Sequence, residues 1–173
     1  MLKMLWMLSR HIANEIKKTD PYGPGSAEVL TYAIAIKLNW YLCLILTGLL
    51  GFILGHFFEA LLAIIAFAAL RRFSGGVHLK SLMVCAILCA VVFAALPLIP
   101  VNKEFTIMLT ALSGVIILWK APKFFEEVNP SCFDPYLKWI SLAIIIVNFL
   151  ILSPVIALSF MLQAITLLPQ GGE

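Results

Sequence analysis

A histidine and a cysteine follow a Ser-Gly-Gly turn near the middle of the chain, and their types and spacing could support catalysis. His78 and Cys85 are the two residue types from which a thiolate nucleophile and its general base can be assembled. On one continuous helix, residues seven positions apart would share a face but lie about 10 Å apart along the axis, too far for a hydrogen bond. A catalytic dyad therefore requires His78 to lie in the turn and to fold back toward a helix that carries Cys85.

The residues between and before this pair are suited to positioning it. Ser74, Gly75 and Gly76 make the turn, in which the two glycines can adopt positive φ and approach other backbone closely. Ser81 is a candidate N-cap for the helix that carries Cys85. Cys85 would then lie about one turn inside the positive end of that helix, where the pKa of a thiol is lowered. Backbone N–H groups of the two glycines, or those at the helix start, could stabilise an oxyanion.

Positive charges cluster around the same turn. Arg71 and Arg72 end the preceding apolar run, and Lys80 follows the glycines. Cations next to a cysteine favour its thiolate form. We therefore predict that residues 71–85 form a catalytic turn and helix start, with these three cations in supporting roles.

A structural alternative has to be kept beside this interpretation. A histidine and a cysteine at the start of an apolar run are often ordinary residues of a membrane interface. Cys89 lies one turn after Cys85, and Cys132 lies in a later polar loop with no histidine near it in sequence. Residue type alone therefore does not identify the nucleophile.

The composition of the chain indicates a helical membrane protein. Of its 173 residues, 62% are hydrophobic and 12% are charged, with a mean hydropathy of +1.04. Soluble domains are nearer half apolar, so an all-α polytopic membrane protein is predicted. The net charge of +3 comes from cations that flank apolar runs and form no stripe, which argues against a nucleic-acid partner. Cysteine spacing matches neither a disulfide framework nor a zinc site, so no metal or other cofactor is expected.

Apolar runs divide the chain into an N-terminal segment and about six membrane segments. Residues 1–22 alternate apolar and charged residues with helical spacing, as in a helix that lies at the membrane interface. This helix would serve either as a docking surface for an amphipathic peptide or as a simple anchor. Residues 26–168 hold the spans, and the whole chain is predicted to be one peptidase domain, 1–173. The predicted spans are Leu42–Gly55, Ala60–Leu70, Leu82–Leu98, Phe105–Trp119 and two short ones that turn near Ser153 within Trp139–Leu168.

The distribution of cations predicts an orientation. Of the 12 Lys and Arg residues, Lys103 alone falls on the far side of the membrane when the N-terminus is inside. Because cytoplasmic loops carry the excess of Lys and Arg, the N-terminus and the turn at Gly75 are expected on the cytoplasmic side of the cell membrane.

The segment before Cys85 closely resembles the signature of the accessory gene regulator B (AgrB) family. It reads Arg71-Arg72-Phe73-Ser74-Gly75-Gly76-Val77-His78-Leu79-Lys80-Ser81. The resemblance extends to the length, the apolar layout, Trp119-Lys120-Ala121-Pro122 and Leu167-Leu168-Pro169. Members of that family are membrane cysteine endopeptidases that process a quorum-sensing propeptide. The resemblance implies that His78 and Cys85 are the catalytic pair.

The resemblance also implies a substrate and a product. The expected partner is an AgrD-like amphipathic propeptide, cut on its C-terminal side through a Cys85 thioester. A cysteine of the substrate would then capture the thioester and give a cyclic thiolactone peptide. The other partners expected are the lipid bilayer and, as an open option, a second copy of the chain.

A non-catalytic membrane protein, such as a small transporter or an accessory subunit, is the competing hypothesis. Transport sites are marked by polar residues inside spans. The predicted spans are nearly devoid of such residues, and this disfavours transport.

Overall fold

The computed structural model describes residues 4–76, 81–123 and 134–168, and in these ranges the chain is helical with no β-strand. The helices are α1 (Met4–Thr19), α2 (Ala27–Ile53), α3 (Phe57–Ser74), α4 (Leu82–Ala95), α5 (Lys103–Lys120), α6 (Leu137–Ile151) and α7 (Pro154–Ile165). Short 3-10 turns at Leu96–Leu98 and Asp134–Tyr136 extend α4 and precede α6. The prediction of an all-α protein is confirmed.

The first long helix, α2, contains most of the predicted span Leu42–Gly55 and begins well before it. Ser26 caps the helix, since its hydroxyl accepts a hydrogen bond from the Val29 N–H. The helix continues for 27 residues through Trp40 and Leu42. Neither proline nor glycine occurs between Ala27 and Thr47 to interrupt it.

Within the described ranges, α2 is the one helix that is both long and apolar enough to cross a membrane. The apolar helices Leu82–Leu98, Leu137–Ile151 and Pro154–Ile165 are shorter than the roughly 20 residues that a full crossing requires. The helical layout thus agrees with the predicted segments, while the number of spans stays a prediction.

The predicted turn near Ser153 separates α6 from α7. Leu152 adopts the left-handed conformation with φ of 55°, and Ser153 caps α7 ahead of Pro154. The buried side chain of Asn148 fixes this turn, because its Oδ1 accepts from the Ser153 N–H at 3.2 Å. Its Nδ2 donates to Thr110 Oγ1 on α5 at 2.9 Å. The two short helices therefore meet at a capped corner that is tied to α5.

Helix α3 contributes to both hydrophobic clusters of the core. One cluster joins α3 to α5, α6 and α7, and the other joins α3 to α2 and α4. The first contains Ala66, Leu70, Ile117, Ala121, Ile145, Ile156, Phe160 and Leu167. The second contains Cys43, Ala63, Ile64, Ala86, Phe93 and Leu96. The C-terminal end of α3, where the predicted catalytic turn begins, is thus held by helices from both halves of the chain.

The N-terminal segment forms the predicted amphipathic helix, α1, and packs along α2. Ser9 and Ala13 are buried, whereas Trp6 and Met7 are exposed. Lys17 Nζ donates to the carbonyl oxygen of Gly23 at 2.7 Å and so ties the end of α1 to the following loop. Its two predicted roles, a docking surface for an amphipathic peptide and a simple anchor, stay predictions.

Candidate active site

The Ser-Gly-Gly turn has the backbone conformation that the sequence predicts. Helix α3 ends at Ser74, after which Gly75 has φ of 77° and Gly76 has φ of 131°. Residues with a Cβ rarely adopt either conformation, and each such residue would cost about 1–3 kcal/mol. The glycines therefore let the chain leave α3 along a path that other residues disfavour.

The turn pairs with the backbone that follows α5. Gly76 N–H donates to Lys123 O at 2.9 Å, and Lys123 N–H donates to Ser74 O at 3.2 Å. The Gly75 N–H donates to Arg71 O at 3.0 Å. Both glycine amides are thus already engaged, and in this conformation neither is available to an oxyanion.

A glutamine on α7 fastens the turn from the other side. Gln163 is fully buried, and its Nε2 donates to Ser74 Oγ at 2.9 Å and to the Gly75 carbonyl oxygen at 2.6 Å. Its Oε1 accepts from Arg71 Nη1 at 3.4 Å and from Thr166 Oγ1 at 3.2 Å. Every hydrogen-bonding atom of this side chain faces the turn or the residues that brace it.

Gln163 was missed because the predicted spans were taken to be nearly devoid of polar residues, and that was wrong. The buried polar residues of α2 to α7 are Thr31, Thr47, Ser74, Thr106, Thr110, Ser113, Ser141, Asn148, Ser159 and Gln163. Most are small hydroxyls, and the majority of these donate to a carbonyl oxygen one turn earlier in the chain, so they leave little trace in a hydropathy profile. The two amides were the usable signal, since a polar side chain inside an apolar segment is by default a candidate for function.

Arg71 belongs to the same group of side chains, whereas Arg72 does not. Arg71 is half-buried, its Nη2 donates to the Gly76 carbonyl oxygen at 3.1 Å, and its guanidinium lies 5.7 Å from the centre of the Phe67 ring. Burial lowers the pKa of the Arg71 guanidinium, and negative charge at Cys85 or Cys89 would oppose that shift. Arg72 is exposed and forms no hydrogen bond with the described residues.

Cys85 lies in the first turns of α4, as predicted. Ser81 caps the helix, and its hydroxyl accepts from the Val84 N–H at 3.4 Å. The Cys85 side chain is half-buried, and its sulfur lies 3.9 Å from that of Cys89. Cys43 on α2 is buried in the cluster against which Cys89 packs. The thiol predicted as nucleophile therefore lies near a positive helix end.

His78, Lys80 and Cys132 lie outside the described residues. The pairing of His78 with Cys85 therefore stays a prediction, as does the supporting role of Lys80. What the structure brings together is Arg71, Ser74, Gly75 and Gly76 with Gln163.

Comparison with known proteins gives the family. The model of the family described as Accessory gene regulator B matches residues 9–167. The chain belongs to the AgrB family. A protein of Halalkalibacterium halodurans described as AgrB-like is 27% identical over 176 residues, which cover 97% of this chain and 89% of that protein. No solved structure shows a significant match.

The AgrB match confirms the resemblance that the turn motif indicated. It spans the turn, the start of α4 and Gln163 in a single stretch of the chain. AgrB membership supports a role in the agr quorum-sensing system and association with the membrane, and the AgrB family is a cysteine protease-like family.

Proposed function

We propose that this AgrB protein is a membrane cysteine endopeptidase that cuts an AgrD-like propeptide on its C-terminal side. The observation that carries the proposal is the position of Cys85. It lies near the capped start of α4, in the region that the AgrB family model matches. A helix start favours the thiolate that such an enzyme needs.

In the proposed reaction one acyl group of the propeptide is transferred twice, first to Cys85 and then to a thiol of the substrate. Cys85 Sγ attacks the scissile carbonyl while His78 takes the thiol proton. The C–N bond then breaks, the leaving amine receives the proton from His78, and the N-terminal part of the propeptide remains as a thioester on Cys85. A thiol of the substrate attacks this thioester, forms the cyclic thiolactone and returns the proton and the free thiol to Cys85.

The oxyanion of the first step needs donors other than the two glycines. Ser81 Oγ already accepts from the Val84 N–H, and the Cys85 N–H donates to Ser81 O. Among the described backbone amides of this helix start, those of Leu82 and Met83 precede the first intrahelical bond and point out of the helix. We infer that they are the donors for the oxyanion.

The test of this function uses a defined substrate. The protein in lipid vesicles is incubated with a propeptide that has an amphipathic N-terminal segment, an internal cysteine and an acidic C-terminal tail. Mass spectrometry should find the released tail and a thiolactone that is one water lighter than the linear acid. A matched propeptide with alanine in place of the internal cysteine should release the tail but give no thiolactone. Release of no tail fragment under these conditions would contradict the proposal.

The competing transporter hypothesis draws on the buried amides Asn148 and Gln163. Both amides are satisfied by other groups of the protein: Asn148 by Thr110 and Ser153, and Gln163 by the turn. Side chains engaged in this way brace the fold and offer no site to a transported solute. A peptide aldehyde that labels one cysteine, and labels none in the Cys85→Ala variant, separates the two classes.

We further propose a multi-pass topology with the N-terminus and the turn on the cytoplasmic side. Single-cysteine probes are placed at the exposed positions Tyr22 and Glu104, which lie outside the caps of α2 and α5. In a background without the native cysteines, an impermeant thiol reagent should label Glu104→Cys on intact cells and should label Tyr22→Cys only after lysis. The expectation follows from the excess of Lys and Arg on one side. Labelling of Tyr22→Cys alone on intact cells would reverse the orientation.

A further inference from the structure

The side-chain amide of Gln163 forms hydrogen bonds with the Ser74–Gly76 turn and with Arg71 and Thr166 beside it. Both of its N–H donors are used on the turn, one by Ser74 Oγ and the other by the Gly75 carbonyl oxygen, at 2.9 and 2.6 Å. The side chain is fully buried, so water does not replace these bonds when they are lost. Removing a buried partner leaves the remaining group unsatisfied, and this is more costly than the bond itself is stabilising. The orientation of the Gly75 carbonyl is therefore coupled to a residue on α7.

The turn is held from three directions at once. Arg71 on α3 donates to the Gly76 carbonyl oxygen, the backbone of Lys123 pairs with the turn, and Gln163 contacts it from α7. The packing on the α7 side is close: a Cβ on Gly76 would lie 2.7 Å from Thr166 Oγ1 and 3.2 Å from Gln163 Nε2. A side chain at Gly76 would therefore have to displace this group of side chains.

Position along the chain links this group to the chemistry. His78 is two residues after Gly76, and Cys85 is four residues after the Ser81 cap. The direction in which the chain leaves Gly76 therefore decides where the segment with the general base begins. Misplacing a catalytic group by about 1 Å can cost on the order of 100-fold in rate.

We propose that Gln163 is a positioning residue, which with Thr166 and Arg71 fixes the Ser74–Gly76 turn and thereby the placement of His78 toward Cys85. The proposal rests on the proposed function, because it gives Gln163 a role in that reaction without contact to the substrate. We name the group formed by Gln163, Thr166 and Arg71 the turn clamp.

The first test compares two buried amides of the same fold. Gln163→Leu keeps much of the volume but loses every bond to the turn, and Asn148→Leu removes an equally buried amide that contacts α5 and the α6–α7 corner. Per inserted molecule, Gln163→Leu should lower kcat for propeptide cleavage on the order of 100-fold and leave KM within about twofold. Asn148→Leu should keep the wild-type kcat. Equal kcat values in the two variants would overturn the proposal.

A milder pair of variants, one in α7 and one at its C-cap, keeps the proposal testable if either amide variant fails to fold. Thr166→Val removes the hydroxyl that donates to the backbone oxygen of Gln163 at 2.7 Å and to its Oε1 at 3.2 Å. Ser159→Ala removes a buried hydroxyl that donates to the Val155 carbonyl oxygen of the same helix. We expect Thr166→Val to reduce kcat by about tenfold and Ser159→Ala to leave it unchanged. The same kcat for both variants would count against the clamp.

A second readout separates this proposal from the proposed function. Amide hydrogen exchange followed over residues 71–76 needs no substrate, and a loosened turn should exchange faster. Gln163→Leu and Thr166→Val should accelerate exchange there, and Asn148→Leu should not. If the wild-type protein cuts no propeptide although exchange responds in this way, the proposed function fails and the clamp on the turn stands. In Gln163→Leu, faster exchange with an unchanged kcat would mean that the turn does not control catalysis. A lower kcat with unchanged exchange would mean that Gln163 does not act through the turn.

Discussion

Replacement of Cys85 by alanine or by serine is expected to abolish cleavage of the propeptide. The proposed reaction passes through a thioester on this sulfur, and a serine hydroxyl in its place lacks the low pKa that makes a thiol a ready nucleophile. The measurement is the amount of released tail per molecule of inserted protein. Because Cys85 is only half-buried near a helix start, both variants should still insert and fold.

Cys89 provides the matched control for this experiment. It lies one turn further along α4, is also half-buried, and its sulfur is 3.9 Å from that of Cys85. Alanine at Cys89 or at Cys43 should therefore leave most of the activity, and so should alanine at Cys132, which lies outside the described residues. Full loss of cleavage in Cys89→Ala, with Cys85 intact, would move the nucleophile to Cys89 and make our assignment wrong.

Local features of this fold could be predicted from the sequence because their causes lie within a few residues. Ser26, Ser81 and Ser153 each cap the helix that follows, as serine before an apolar run indicates. Gly75 and Gly76 adopt positive φ because they end a helix without a Cβ to oppose it. The corner near Ser153 could also be predicted, because Pro154 cannot continue the preceding helix.

The contacts that complete the candidate site could not be predicted in this way. Gln163 is 89 residues from Ser74 along the chain, and Lys123 meets Gly76 from a third element. Their meeting depends on how α3, α5 and α7 pack, and no spacing in the sequence records it. A glutamine within an apolar run is unusual, so Gln163 could have been chosen from the sequence as a candidate for function. Its partners could not have been predicted.

The extent of α2 is set by its backbone and not by its composition. Asn39-Trp40-Tyr41 has the composition of a membrane interface and lies just before the predicted span at Leu42. Helical hydrogen bonds continue through it because composition at an interface does not by itself interrupt a helix. A helix is interrupted by residues that change the backbone conformation. Helix α2 ends just before Gly55, which has a positive φ.

Replacement of Gly76 by valine is expected to lower the cleavage rate per inserted molecule on the order of 100-fold. Two effects add at this position. Its φ of 131° disfavours any residue with a Cβ, by about 1–3 kcal/mol. The new Cβ would also lie 2.7 Å from Thr166 Oγ1 and 3.0 Å from Arg71 Nη1, so the turn clamp would have to move. Insertion into the membrane should persist, since the helices on both sides keep their apolar faces.

Gly55 is the matched control for this prediction. It has a similar requirement for positive φ, with φ of 77°, but a Cβ there would meet nothing within 4 Å. It lies in the connection between α2 and α3, at the opposite end of α3 from the Ser74–Gly76 turn. Gly55→Val should therefore carry the backbone penalty and lower the yield of folded protein, while each inserted molecule keeps its activity. Measured as tail released per inserted molecule, a Gly76→Val protein as active as Gly55→Val would mean that the conformation of the turn does not position the catalytic pair.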